Sequence, residues 1–203
     1  MRGVGRKRGA ILVGMTWHAY LDESEPATGG TYVLACSLVV TDHLEGLRSR
    51  LSALRLPGEQ KVHWYERSRG QRRLLVETIA AMPAIHHILV RDDCGDESSE
   101  RRRRKCLERM LWNLEHSYGV ESVVVEARQA RQNVKDRHLL DSMRARRDVS
   151  SRLRIAHVPG WEEPLLWLPD IIAGAFGDDR RKMPGIFSML GPIVELESIS
   201  GLK

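Results

Sequence analysis

Trp17-His-Ala-Tyr-Leu-Asp-Glu-Ser24 and Thr31-Tyr-Val-Leu-Ala-Cys-Ser-Leu-Val-Val40, separated by Glu25-Pro-Ala-Thr-Gly-Gly30, decide the fold class. The first stretch alternates enough to be a strand, the middle is a cluster of turn formers, and the third is rich in β-branched and apolar residues. Together they predict a hairpin. The second strand is apolar on both faces, which places it centrally in a sheet covered by helices on both sides.

Outward from the hairpin, helical and strand patterns alternate. Thr41 or Asp42 is placed to cap a helix carrying Leu44, Leu47, Leu51 and Leu54, which Pro57-Gly58 ends. After Lys61-Val-His-Trp64, a second helix is expected over about 68–81 with Leu74, Leu75 and Ile79 inward, closed by Pro83. A strand follows over 84–90 and a polar loop over 92–99. The longest helix runs over 100–118, with Cys106, Met110, Leu111 and Leu114 on its buried stripe and Gly119 at its end.

Val120 to Glu126 then reads as a strand ending in a carboxylate. Residues 133–146 give an amphipathic helix with Leu139, Leu140 and Met143 inward, 152–158 a last strand, and Asp170 to Phe176 a last apolar helix. The chain beyond Gly177 reads as loop with short apolar pieces. A hairpin followed by alternating helices and strands suits an α/β fold with a mixed central sheet and helices on both faces. A Rossmann nucleotide fold is disfavoured because no Gly-rich turn follows the first strand, and no P-loop is present.

The chain has 203 residues, 42% hydrophobic and 29% charged, enough for one sizeable core and unlike a disordered chain. Residues 15–203 are expected to form a single domain. Residues 1–14, with a basic start and a short apolar stretch, read as a basic tail or as a mis-assigned start with translation beginning at Met15. The apolar stretch is too short for a signal peptide and lacks a cleavage site, and no segment has the length of a membrane span.

The three cysteines, Cys36, Cys94 and Cys106, form neither a metal pair nor a disulfide framework and read as reduced thiols of a cytoplasmic protein. Net charge is +5 and the pI near 9.4, carried mostly by arginine, the side chain suited to bidentate phosphate contact. A nucleic-acid partner is compatible with that charge. Arginine excess also follows from codon bias, so charge alone decides nothing.

Asp22, Glu126 and Asp170 stand out because each ends or enters an apolar element, where a carboxylate is less expected than on a solvated face. Hard oxygen donors from separate elements are what Mg²⁺ or Mn²⁺ requires, and such ions assist phosphoryl chemistry. Each also has a plainer account: a turn-flanking Asp, a surface Glu, and an acid favoured by a helix N-terminus after Pro169. Glu23 is a fourth candidate ligand, ranked below these because adjacent strand residues point to opposite faces.

Ala19-Tyr-Leu-Asp-Glu-Ser24, Tyr32-Val-Leu-Ala35, Val62-His63-Trp64 and Leu166-Trp-Leu-Pro-Asp-Ile-Ile-Ala-Gly-Ala175 together resemble the family called domain of unknown function 3800. The resemblance spans Met15 to Phe176. It implies a ribonuclease H-like fold and a metal-dependent nuclease or related phosphodiester hydrolase, with Asp22, Glu126 and Asp170 as the catalytic, metal-binding set. This chain has Glu126 where the family more often has Asp, Glu25 where Gly is usual, and Pro169 for a usual Ala. A catalytically silent nucleic-acid-binding or protein-interaction module is the alternative on the same fold.

His63, raised by the same resemblance, is a candidate to contact phosphate or carry a proton, since imidazole titrates near neutrality; otherwise it packs on Trp64. Arg128 and Arg131, just past Glu126, are the candidate phosphate contacts. The run Arg101 to Lys105 opposes its helix dipole and asks for a compensating anion, phosphate backbone being one. His86 and His87 are read as structural, and Glu162 and Glu163 as capping or surface residues.

Overall fold

The computed structural model describes residues 15–25, 31–92, 97–181 and 185–199. The expectations for residues 1–14, Cys94 and most of the first turn cluster therefore lie outside the described residues. A six-stranded mixed sheet, ordered β5-β4-β1-β2-β3-β6, runs through the molecule. Strands β1 (Trp17–Ser24), β2 (Tyr32–Val40) and β3 (Ile85–Arg91) are successively antiparallel. β4 (Ser122–Glu126) is parallel to β1, β5 (Arg154–Val158) to β4, and β6 (Val194–Ser198) to β3.

β2 is buried along its whole length because it has a strand on each side and helices on each face. One face carries α1 (Leu44–Ser52), α2 (Arg69–Ala80) and α5 (Trp167–Arg180), which pack on Tyr20, Val33, Ala35, Val39 and Ile88. The other carries α3 (Ser99–Tyr118) and α4 (Ala130–Ala145) over Ala19, Leu21, Leu34, Cys36 and Leu38. The period-two alternation of β1 thus sends Tyr20 and Asp22 to the α5 side and Leu21 and Glu23 to the α3 side. Cys36 and Cys106 are buried free thiols of the second core.

Three details differ from the sequence expectation. Thr41 does not cap a helix: residues 41–43 form a short 3-10 turn, and the Thr41 hydroxyl bonds the Thr16 carbonyl and the His18 ring instead. Leu74 points outward, 59% exposed, while Val76 takes the buried position beside Leu75 and Ile79. The α2 start is fixed by a capping box between Ser68 and Gln71. β5 is not the last strand, because Val194-Glu-Leu-Glu-Ser198 adds β6 at the edge. Its two acids face α3, where Glu197 meets Arg109 and Asn113 and Glu195 meets Tyr118.

Candidate active site

β1 and β4 run parallel in a register that ends with Leu21 opposite Val125, so Asp22 and Glu126 are neighbours one residue further along. Both lie on the face that α5 crosses, and α5 brings Asp170 in its first turn. The three carboxyls repel one another. Burial, then the charge of Asp170, then that of Glu126 push Asp22 well above the usual carboxylate range, against the pull of Lys61. Asp170 is raised to about 6 by burial foremost and by Glu126 further down, opposed by Lys61, His63 and the backbone N–H of Trp64.

Lys61 completes the centre. Its ammonium donates to Glu126 Oε1 at 2.7 Å with only 14% of the side chain exposed. Burial alone would lower that ammonium; the hydrogen bond and charge of Glu126, with Asp170 and Asp22 behind it, hold it above its ordinary value. Gly160, in the break after β5, lets this pair form. A Cβ there would lie 2.5 Å from Glu126 Oε1 and 3.0 Å from Lys61 Nζ. The Gly160 carbonyl accepts from the Trp167 indole N–H at 2.6 Å, tying the break to α5.

The loop over 53–68 delivers Lys61 and His63, and Trp64 pins it. The Trp64 ring lies directly on Gly174, where any Cβ would collide with it, and its indole N–H donates to the buried Asp178 at 3.2 Å. Arg72 also donates to Asp178, at 2.8 Å, and buried Arg67 is ion-paired with Glu59 within the loop. His63, one residue before this anchor, is exposed and close enough to Asp170 to lower its pKa.

Three residues expected at the centre lie elsewhere. Glu23, a candidate ligand from sequence, is on the opposite face because strand neighbours alternate, and it pairs with Arg103 and the Tyr32 hydroxyl. Arg128, expected to reach phosphate beside Glu126, turns to that same face and pairs with Asp136 at 3.3 Å and Glu100 at 3.5 Å. Arg131 is exposed in the first turn of α4, also on that side. The anion that the Arg101 to Lys105 run asks for is internal: Arg101 and Lys105 pair with Glu97, Arg102 with Glu25, and Arg103 with Asp136 and Glu23.

His86 and His87 are buried on opposite faces, His86 bonded to Ser37 at 2.8 Å. Glu163 caps the 3-10 turn ahead of α5 by accepting from the Leu165 N–H and pairs with Arg48 at 2.7 Å. Sequence reasoning missed Lys61 and Gly160. The one available signal was their company, a lysine two residues before His63 and a glycine after the strand beside Glu126.

Among the described residues no group of three or more His, Cys, Asp or Glu side chains is arranged as one that could hold a metal ion, and no helix is long and apolar enough to cross a membrane. The donors nevertheless suit a hard divalent cation: three carboxylates from three elements, two of them with pKa raised by burial first and by neighbouring carboxylate charge after it. The fold and centre define an α/β protein with an acidic centre at the carboxyl ends of two parallel strands. No protein-family model matches the chain, and no curated protein matches it.

Proposed function

We propose that the protein is a metal-dependent nuclease or related phosphodiester hydrolase of the cytoplasm, acting on nucleic acid through a ribonuclease H-like domain of the kind called domain of unknown function 3800. The carrying observation is that the β1–β4 register and the crossing of α5 bring Asp22, Glu126 and Asp170, distant in sequence, near enough for neighbouring charge to add to burial in raising both aspartates. The mixed sheet, with an antiparallel β1–β2–β3 meander leading into parallel β4 and β5 and helices on both faces, supports the fold assignment.

In this proposal Asp22, Glu126 and Asp170 would hold Mg²⁺ or Mn²⁺, which would supply Lewis-acid charge stabilisation for phosphoryl chemistry. Lys61 keeps Glu126 oriented and adds a fixed cation beside the reacting phosphate. His63, exposed and near Asp170, would hand a proton to the leaving oxygen. Mg²⁺- or Mn²⁺-dependent cleavage of mixed RNA and DNA oligonucleotides is expected, abolished by chelator and by Asp22→Asn. Cleavage that persists in Asp22→Asn would refute the assignment.

The Lys61–Glu126 ion pair favours a second proposal, because it neutralises an acid internally without any added cation. In it the same fold is a catalytically silent module that binds nucleic acid. That reading predicts binding unaffected by chelator and no cleavage with either metal.

A further inference from the structure

Beyond the acidic centre, the α5 face carries a run of small residues that seats the 53–68 loop. Trp64 rests on Gly174, and the Tyr65 hydroxyl lies 3.8 Å from where a Cβ of Gly177 would be, beside the Arg181 guanidinium at the same distance. Tyr65 is 56% exposed, an unusual position for an aromatic ring in a segment so firmly anchored. Two guanidinium groups lie over the ring in cation–π contact, Arg72 at 5.7 Å and Arg181 at 5.5 Å from its centroid, so a base would stack on the exposed remainder of the ring. Arg72 and Arg181 share the buried carboxylate of Asp178, two guanidinium groups to one carboxylate.

Arg69 and Arg73, both exposed, flank Arg72 on α2 one turn apart from each other, Arg73 in a solvent-exposed pair with Glu77 at 2.9 Å that a phosphate would compete with. They line a cavity of about 360 Å³ with Gly70, Gly185 and Ile186. Gly177 is seven residues past Asp170, about two helical turns or roughly 10 Å along α5. His63, exposed and electrostatically coupled to Asp170, lies two residues before Tyr65. Tyr65 and the carboxylates are thus served by the same loop and the same helix.

We propose that Tyr65, flanked by Arg72 and Arg181, is a base-stacking subsite for single-stranded nucleic acid, with Arg69 and Arg73 taking the backbone phosphates beyond it. An exposed ring held rigidly among guanidinium groups is what sequence-tolerant single-strand binding uses, because every base offers a π face and every linkage a charge. A duplex keeps its bases stacked inside and gives Tyr65 nothing to stack on. This deepens the hydrolase proposal by naming its substrate class, and it rests on that proposal only for its direction toward the carboxylates.

The test separates the two. Anisotropy of a fluorescein-labelled single-stranded oligonucleotide is titrated with the full chain in EDTA, with a blunt duplex of the same sequence as comparator. Tyr65→Ala is expected to weaken single-strand binding roughly tenfold or more, while Tyr65→Phe, which keeps the ring and drops only the hydroxyl, stays within about twofold of the parent. Arg69→Gln with Arg73→Gln is expected to flatten the salt dependence by about two phosphate contacts.

Tyr65→Ala binding as tightly as the parent, or a duplex binding as tightly as the single strand, overturns the subsite. If Tyr65→Ala weakens binding but added Mg²⁺ or Mn²⁺ brings no cleavage, the subsite stands and the hydrolase proposal falls. If the parent cleaves and Tyr65→Ala leaves KM unchanged, the subsite falls and the hydrolase proposal stands.

Discussion

Lys61 and the carboxyls around it set opposing demands on stability. An Asp170 carboxyl raised to about 6 in the folded protein, against an ordinary value near 4, keeps its proton longer folded than unfolded. Its contribution is therefore fully present below about pH 4 and is lost as pH rises through 6. Asp170→Asn should raise Tm by roughly 2–6 °C at pH 8, with the gain vanishing by pH 4; a lower Tm at pH 8 would contradict the repulsion described above. Lys61→Met should do the reverse at pH 8, because it removes the cation that offsets those charges, and Mn²⁺ should restore part of the loss in thermal melts. Gly160→Ala should push the Glu126 carboxylate out of its pair with Lys61 rather than move backbone, since its methyl would meet the end of a flexible side chain.

Much of this was legible in residue types and little of it in spacing. Asp22, Glu126 and Asp170 could be picked out because acids at the ends of apolar elements are unexpected, yet only the pairing of β1 with β4 and the crossing of α5 make them neighbours. Glu23 was flagged by its place beside Asp22 and set apart by strand alternation, which is what the fold displays. Arg128 was misjudged because sequence proximity to Glu126 says nothing about which sheet face the chain turns to after a strand ends.

At the scale of elements, α5 is both a core helix and a template. Its start brings Asp170, its middle is notched at Gly174 for Trp64, and its end supplies Asp178 for the Trp64 indole and two arginines. Gly174→Ala is expected to cost about 1–3 kcal/mol by overpacking and to displace Lys61 with the loop. Leu74→Ala, on the exposed side of α2, should stay within about 0.5 kcal/mol of the parent. Equal losses in denaturant titrations of the two variants would contradict the packing described.

Elements with strong periodicity were legible. The 20-residue α3, with Gly119 in the left-handed region at φ 65°, and the all-buried β2 match their patterns closely. β6 was missed although Val-Glu-Leu-Glu alternates, because two acids in five residues read as solvated loop. Only the arginine, asparagine and tyrosine that α3 presents to those acids make an edge strand of it.

Across the whole molecule, the two faces of the sheet handle charge differently. The α5 face gathers like charges around one lysine. The α3 face gathers Asp136, Arg103, Arg128, Glu23 and His157 into a nearly neutral, interlocked set. Burial there pushes Asp136 up, but the His157 hydrogen bond and then Arg103 and Arg128 outweigh it and bring the carboxyl down to about 2. Its stabilisation is present above the ordinary carboxylate range and is lost as pH falls through about 2. Asp136→Ala should cost about 3–5 kcal/mol by leaving buried Arg103 with its pair broken, measured by urea unfolding at pH 7. His86, lowered to about 4 by burial, adds a second acid-sensitive step: stability declines as pH falls from about 6.5 toward 4.

The centre draws on the first strand and on the last long helix of the chain. During synthesis, a nascent chain presents Asp22 first and Glu126 later, while Asp170 and the notch that seats Trp64 come with α5, which follows both. The chemistry proposed here therefore waits for α5, and a prematurely terminated product lacking that helix would leave the ribosome harmless to the nucleic acid around it.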